Sequence, residues 1–182
     1  MHIFNSDGSE GLMCGNGLRC IAAYMLEHKG LPGPTVRIQT RRAVIPVTCE
    51  RQAGRLFTVN MGRPGLDAAI IPVRSELPKL IDAQAHGFFG TADDHWTRSC
   101  GLEPGLTCVS MGNPHAVFFC GNAALVPMEQ VAPGIATHPM FPEGANVHFV
   151  QVRSRTSASM RTWERGAGPT LACGTGACAA IV

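Results

Sequence analysis

Two short elements at opposite ends of this 182-residue chain share the pattern Cys-Gly-x-Gly, and small and apolar residues follow each of them. The first element begins at Cys14 and the second at Cys173. After Cys14, apolar residues recur at three- and four-residue spacing, which predicts a helix over 15–29 that stops at Gly30. The second element predicts the start of another helix over 173–182. This weak internal repeat favours a fold with two similar helix starts.

Between these helices the pattern favours β-strands separated by turns. The predicted strands cover 35–50, 55–61, 106–111, 115–120, 146–153 and 158–164. Gly54 marks a turn in the first group, and residues 112–114 break the second. Prolines between 62 and 78 predict a linker, which divides the chain into halves of 1–74 and 75–182. We therefore expect a strand-rich α+β fold.

Composition and charge exclude several classes of function. The formal net charge is only +2 and the basic residues are not clustered, so we expect no nucleic-acid partner. No apolar run is long enough for a membrane span, and the N-terminus lacks a signal-peptide pattern. The eight cysteines include no Cys-x-x-Cys pair, so a zinc site is not predicted. We interpret the chain as a reduced cytoplasmic protein.

Each Cys-Gly-x-Gly element has a chemical interpretation and a structural one. The first N–H groups of a helix lack intrahelical partners, and glycines allow an anion to approach them. A cysteine at such a helix start is expected to have a lowered pKa. The structural interpretation of a single copy is a glycine-bounded helix cap with a buried cysteine.

Two copies favour the chemical interpretation. Inverting a stereocentre needs a base on one face and an acid on the other, and two thiols fit that requirement. Pyridoxal phosphate is the usual other route, and it needs a Schiff-base lysine. The chain has only Lys29 and Lys79. Neither is a convincing candidate, because Lys29 ends a predicted helix and Lys79 lies among prolines. We therefore expect no cofactor and no metal.

Four segments together resemble the diaminopimelate epimerase family. Residues 5–20, Asn-Ser-Asp-Gly-Ser-Glu-Gly-Leu-Met-Cys-Gly-Asn-Gly-Leu-Arg-Cys, resemble its first catalytic motif. Residues 163–177, Trp-Glu-Arg-Gly-Ala-Gly-Pro-Thr-Leu-Ala-Cys-Gly-Thr-Gly-Ala, resemble its second. Gly-Asn-Pro-His at 112–115 and Ala-Asn-Val at 145–147 match two further signatures in the family's order.

The resemblance implies a cofactor-independent enzyme that interconverts LL- and meso-diaminopimelate on the way to lysine and peptidoglycan. It implies two pseudo-symmetric halves, each a curved antiparallel sheet around a central helix, with the active site between them. The implied partner is a small-molecule substrate, and a homodimer is the protein assembly that the resemblance allows.

The resemblance also implies roles for individual residues. Cys14 and Cys173 would form the acid/base pair, and His115 and Glu164 would flank the reacting centre and tune protonation. The residues implied in substrate binding are Asn5, Gly15, Asn16, Asn113, Asn146, Glu164, Arg165, Gly174 and Thr175. Those beside the two cysteines would hold the reacting carboxylate. Asn5, Asn113, Asn146 and Arg165 would bind chiefly the distal amino-acid end, where an arginine gives a bidentate grip on a carboxylate.

The sequence departs from the family pattern in two local positions and at both ends. Pro169 stands where the family often has an acidic residue, and His148 where it more often has Glu or Gly. The first half is expected to lack its first strands, and the second its last helix turns and strands. Two alternatives follow, namely a related two-cysteine racemase acting on another amino acid and an inactive truncated remnant.

Overall fold

The computed structural model describes residues 1–4, 8, 10–11, 13–50, 56–85 and 95–182. The chain divides into two compact units, Met1–Arg63 and Pro64–Val182, here called the first and second units. Within the described ranges, every helix is too short or too polar to cross a membrane.

The described residues of the first unit form one long helix and two small antiparallel sheets. Its elements are β1 (Ile3–Phe4), β2 (Glu10–Gly11), α1 (Gly15–His28), β3 (Thr35–Gln39), β4 (Val44–Glu50) and β5 (Leu56–Val59). Strands β3, β4 and β5 form a three-stranded sheet in that order, and α1 packs on it. Leu18 and Ala22 on the helix are fully buried against strand residues such as Val36 and Val47. The helix predicted from the apolar spacing is thereby confirmed.

The segment predicted as one strand over 35–50 is two strands joined by a tight turn. The Thr40 hydroxyl accepts the backbone N–H groups of Arg42 and Ala43, which closes the turn. Small polar side chains often form such local bonds, and this one interrupts an otherwise β-favouring run. The turn predicted at Gly54 lies outside the described residues.

The described part of the second unit contains a six-stranded sheet and three α-helices. Its elements are β6 (Ala83–Gln84), α2 (His95–Cys100), β7 (Leu102–Ser110), β8 (Pro114–Cys120), a 3-10 turn (Ala123–Leu125), α3 (Met128–Ala136), β9 (Asn146–Ser154), β10 (Ser157–Glu164), β11 (Gly168–Thr170) and α4 (Gly174–Ala180). The strand order is β11-β10-β9-β8-β7-β6. Pro169 lies on β11, an edge strand, where a missing N–H is tolerated.

Side chains on the central strands alternate between two faces, as the pleat requires. On β9, Val147 and Phe149 are fully buried in the main core, to which Met128 and Ile135 of α3 also belong. His148 points to the opposite face, where α4 packs on β8 and β9. One face of the sheet therefore stabilises the unit with apolar contacts, and the other places His148 beside α4.

The α+β fold class predicted from the sequence is confirmed, with one difference in strand direction. Strands β8 and β9 run parallel, whereas every other pair in this sheet is antiparallel. The connection between them contains α3, and a parallel pair needs a crossover of this kind.

The unit boundary lies after Arg63 rather than after residue 74. Gly65 exchanges two backbone hydrogen bonds with Ser110, and Ala68, Ile71 and Val73 are buried in the core of the second unit. The proline-containing segment that suggested a linker is therefore largely packed structure, because three of its apolar residues belong to the core of the second unit.

Candidate active site

The two Cys-Gly-x-Gly elements form matching helix caps. Cys14 precedes α1 and Cys173 precedes α4, and both have extended backbones with φ of −139° and −123°. In each cap the cysteine Sγ accepts the backbone N–H of the residue three positions on, Gly17 or Gly176, at 3.4 Å. A sulfur thus satisfies one of the unpaired N–H groups of each helix start.

The two thiols differ in their surroundings. Cys14 is half-buried, and the space beside Gly15 is closed by the Met61 side chain. Cys173 is only 6% exposed, and the Thr175 hydroxyl lies 3.4 Å from its sulfur. The same local motif therefore presents one more accessible thiol and one enclosed thiol.

The lowered pKa expected for a cysteine at a helix start is wrong for Cys173. Burial raises the pKa of this thiol to about 11, although hydrogen bonds from Thr175 and the Gly176 N–H act in the opposite direction. The negative charge and acceptor oxygen of the nearby Glu164 carboxylate raise the pKa further. Desolvation and a neighbouring carboxylate both favour the neutral thiol, and here they outweigh the helix end. Cys173 is therefore protonated at neutral pH.

The Glu164 carboxylate is held in place beside this thiol. The Thr170 hydroxyl donates to Glu164 Oε1 at 2.7 Å across the β10–β11 hairpin. The carboxylate therefore keeps a defined position from which it stabilises the protonated form of Cys173.

Replacing Glu164 with glutamine should speed alkylation of Cys173. Only the thiolate reacts, and at pH 8 a thiol of pKa about 11 has ~100-fold less thiolate than one with the ordinary value of 9.0. Removing the negative charge lowers this pKa, so we expect the Cys173 iodoacetamide rate at pH 8 to rise at least about threefold. Peptide mass spectrometry measures the rate.

Glu129→Gln is the matched control, because Glu129 is on α3 and its side chain is 64% exposed. It should leave the Cys173 rate unchanged. An unchanged or slower rate in Glu164→Gln would contradict the electrostatic role of Glu164.

The Asn146 side chain connects three strand ends. Its Nδ2 donates to the Pro114 carbonyl at 2.9 Å, and its Oδ1 accepts the Arg165 backbone N–H at 2.9 Å. The Arg165 guanidinium in turn donates to the Glu143 carbonyl at 2.6 Å. Asn146 is 3% exposed, so these bonds fix where Arg165 leaves the sheet.

A buried row of hydrogen bonds lies beside these groups. Asn113 Oδ1 is 2.9 Å from His115 Nε2, His115 Nδ1 is 2.8 Å from His148 Nε2, and His148 Nδ1 is 3.0 Å from Thr162 Oγ1. Both imidazoles are fully buried. Burial lowers the pKa of His148 to about 4. Burial, together with His148 and the Arg165 charge, holds the pKa of His115 well below its ordinary value of 6.5.

The structure brings most of the predicted site residues together within the second unit. This group comprises Asn113, His115, Asn146, Glu164, Arg165, Cys173, Gly174 and Thr175. Cys14, Gly15 and Asn16 form the helix start of the first unit, where Asn16 Oδ1 accepts from Arg19. Asn5 lies outside the described residues.

Three polar residues of this region were not singled out as site residues from the sequence, namely His148, Thr162 and Thr170. The first two could have been found from the alternation of side chains along a strand, which places residues two apart on the same face. His148 is two residues after Asn146 on β9, and Thr162 is two residues before Glu164 on β10, so each shares the face of a predicted site residue. Among the described residues, no group of three His, Cys, Asp or Glu side chains is arranged to hold a metal ion.

Comparison with known proteins gives a consistent result. The sequence model of the family "Diaminopimelate epimerase" matches residues 1–66 and 107–182. Proteins named diaminopimelate epimerase from Bacillus pumilus and Microcystis aeruginosa are each 44% identical to the chain over its full length. One from Methanococcus maripaludis is 42% identical. The chain spans 61–62% of the length of these relatives.

A solved structure extends the comparison to the fold. A Bacillus anthracis phenazine biosynthesis protein of the PhzF family aligns with a TM-score of 0.57 at 16% identity. The alignment covers 92% of this chain and 55% of that protein. At this identity the likeness supports the fold alone.

Proposed function

Because the chain belongs to the diaminopimelate epimerase family, we propose that it carries the chemistry of LL- to meso-diaminopimelate epimerisation without a cofactor. The observation that supports this most directly is the pair of matching thiol caps at Cys14 and Cys173. A two-base inversion at carbon requires a base on one face and an acid on the other, and two thiols can supply both. The proposed place of the reaction is the supply of lysine and peptidoglycan precursors.

In the proposed reaction one thiolate removes the α-proton and the other thiol returns a proton on the opposite face. Cys173 is protonated at neutral pH, so it serves as the acid when Cys14 serves as the base. After one turnover the two protonation states are exchanged, and proton exchange of both groups with water restores them before the next turnover in the same direction. Glu164 stabilises the protonated form of Cys173 and would also receive a hydrogen bond from the thiol each time it is re-protonated.

The remaining residues are proposed to bind and orient the substrate. Gly15 with Asn16, and Gly174 with Thr175, belong to the first turns of the two helices, whose N–H groups can receive the carboxylate of the reacting centre. This would stabilise charge that spreads onto that carboxylate as the proton leaves. His115, held neutral by burial, is proposed to flank the reacting centre as an uncharged group rather than as a cation.

The distal amino-acid end of the substrate is assigned to Asn5, Asn113, Asn146 and Arg165. Arg165 carries the charge for a distal carboxylate, and the Asn146 amide fixes the backbone from which it extends. Such a grip orients the substrate and rejects amino acids that lack the second carboxylate.

Proton exchange tests the proposal directly. The reduced protein is incubated with LL-diaminopimelate in D₂O, and the α-hydrogen signal is followed by NMR. We expect loss of this signal together with appearance of the meso isomer. Parallel incubations with proline, glutamate and alanine test substrate class. Exchange of one of these amino acids, without exchange of diaminopimelate, would favour a related racemase instead.

The proposed substrate is a small molecule of cytoplasmic biosynthesis, and we place the protein in the cytoplasm on that ground. A homodimer stays a prediction. Light scattering on the purified protein, with and without diaminopimelate, measures its mass.

A further inference from the structure

The proposed catalytic roles do not use His148, although it is a fully buried ionisable side chain beside the Cys173 helix. It lies in the middle of a row that runs from Asn113 through His115 and His148 to Thr162, with successive distances of 2.9, 2.8 and 3.0 Å. Each imidazole nitrogen in the row has one partner. A buried chain of this kind rigidifies its members when every group is satisfied.

Counting donors and acceptors determines where the protons lie. An amide oxygen only accepts, so His115 must donate to Asn113 Oδ1 from Nε2. Since His115 is neutral, its Nδ1 must accept, and His148 must donate to it from Nε2. His148 Nδ1 is then an acceptor, and it receives the Thr162 hydroxyl proton. The row therefore has one direction, and Asn113 Oδ1 on one side and the His148 Nε2–H on the other hold His115 in this tautomer.

His148 also lies directly against the first turn of α4. A Cβ added to Gly176 would lie 2.3 Å from His148 Cε1 and under 3.0 Å from both ring nitrogens. Only glycine fits against the ring at this position. The Gly176 N–H is the group that donates to Cys173 Sγ. The imidazole therefore packs against the helix turn whose N–H group caps the Cys173 thiol.

We propose that His148 is a positioning residue of the epimerisation site, which fixes His115 with its proton on Nε2 and supports the helix turn that caps Cys173. The assignment to epimerisation rests on the proposed function. The tautomer and the packing can be measured without substrate, so their failure would be distinct from a failure of that function. If His148 only filled space, a side chain that cannot donate a hydrogen bond would replace it with no change at His115.

Nitrogen-15 NMR of the histidine rings tests the tautomer. In the unmodified protein we expect His115 Nε2 protonated and Nδ1 unprotonated. The conservative variant His148→Gln can donate from its amide to Nδ1 and should keep this state. His148→Glu offers only acceptors, so His115 Nδ1 should become protonated and its signal should move to the protonated range. His28→Glu, at an exposed position on α1, should leave His115 unchanged.

Two outcomes of this experiment would overturn the proposal. One is a proton on His115 Nδ1 in the unmodified protein. The other is a His115 signal that stays the same in His148→Glu while the variant is folded. Tryptophan fluorescence and the remaining histidine signals report whether each variant is folded.

A double-mutant cycle tests the packing against the helix independently. Gly176→Ala should lower the melting temperature of the second unit by about 5 °C or more, because the new methyl group collides with the ring. In a His148→Ala background the same change should have at most a small further effect, since the ring is gone. Equal effects of Gly176→Ala in both backgrounds would contradict contact with His148.

Discussion

Lowering the pH from 7 to 5 should destabilise the second unit by at least about 2 kcal/mol. The cause is the buried pair His115 and His148, whose pKa values the fold holds below the ordinary value of 6.5. Such a loss is large beside the 5–15 kcal/mol that typically stabilises a whole domain.

The direction follows from proton uptake by the unfolded chain. Unfolded histidines bind protons as the pH falls through 6.5, whereas folded His148 stays neutral until the pH approaches about 4. The stabilising contribution is therefore complete above pH 6.5 and declines as the pH falls toward the folded pKa. Between pH 7 and 5 the His148 imidazole contributes roughly 2 kcal/mol to the loss, and His115 adds to it in the same direction. Arg165 disfavours charge on His115 in the same direction.

Tryptophan fluorescence measures the unfolding of the second unit specifically. Both tryptophans of the chain, Trp96 and Trp163, belong to the second unit and pack against its core. Thermal unfolding followed by this signal should show a melting temperature roughly 10 °C lower at pH 5 than at pH 7. Ordinary carboxylates contribute little above pH 5, because their pKa values lie near 4.

The double variant His115→Gln/His148→Gln should remove most of the pH dependence, because amides keep hydrogen bonds and do not titrate. His28→Gln is the matched control, since His28 is exposed and in the first unit, and it should leave the pH dependence as it is. A melting temperature that does not change between pH 7 and 5 would mean that the pair is not held neutral by the fold.

The elements carried by strong local patterns were predictable from the sequence. Helix α1 follows from its apolar spacing and from Gly30, and strands β7 to β10 follow from their β-branched and apolar runs. Each of these segments has one dominant periodicity. Helix α3 was missed because Pro133 and Gly134 lie inside it, and its stability comes from burial of residues such as Met128 and Ile135.

The electrostatics of the site were less predictable than its residues. Both thiol caps follow from the Cys-Gly-x-Gly pattern. The pKa of Cys173 does not, because it depends on burial in the folded unit and on Glu164, which the β10–β11 hairpin positions. The contact between His115 and His148 was not predictable either, because the two residues lie 33 positions apart in sequence, on different strands. Its formation depends on the parallel pairing of β8 and β9, which a local pattern does not specify.

Removing either cap thiol should abolish epimerisation while leaving one-sided proton exchange. In Cys14→Ala or Cys173→Ala a single thiol remains, and it reaches only one face of the α-carbon. A proton removed from that face exchanges with D₂O on the thiol and returns to the same face, so configuration is retained. We expect formation of the meso isomer to fall at least about 10³-fold in each variant, near the upper range for loss of a general acid or base.

The two variants should differ in the isomer that they exchange. One thiol is expected to act on the L-configured centre and the other on the D-configured centre. The variant that exchanges the α-hydrogen of LL-diaminopimelate should therefore not exchange the α-hydrogen at the D-centre of the meso isomer. The other variant should exchange the D-centre and not the L-centre. NMR in D₂O with each isomer measures both rates. Cys20→Ala and Cys178→Ala are the matched controls, because these cysteines lie further along α1 and α4. Rapid meso formation by either cap variant would rule out the two-thiol mechanism, since one thiol cannot serve both faces.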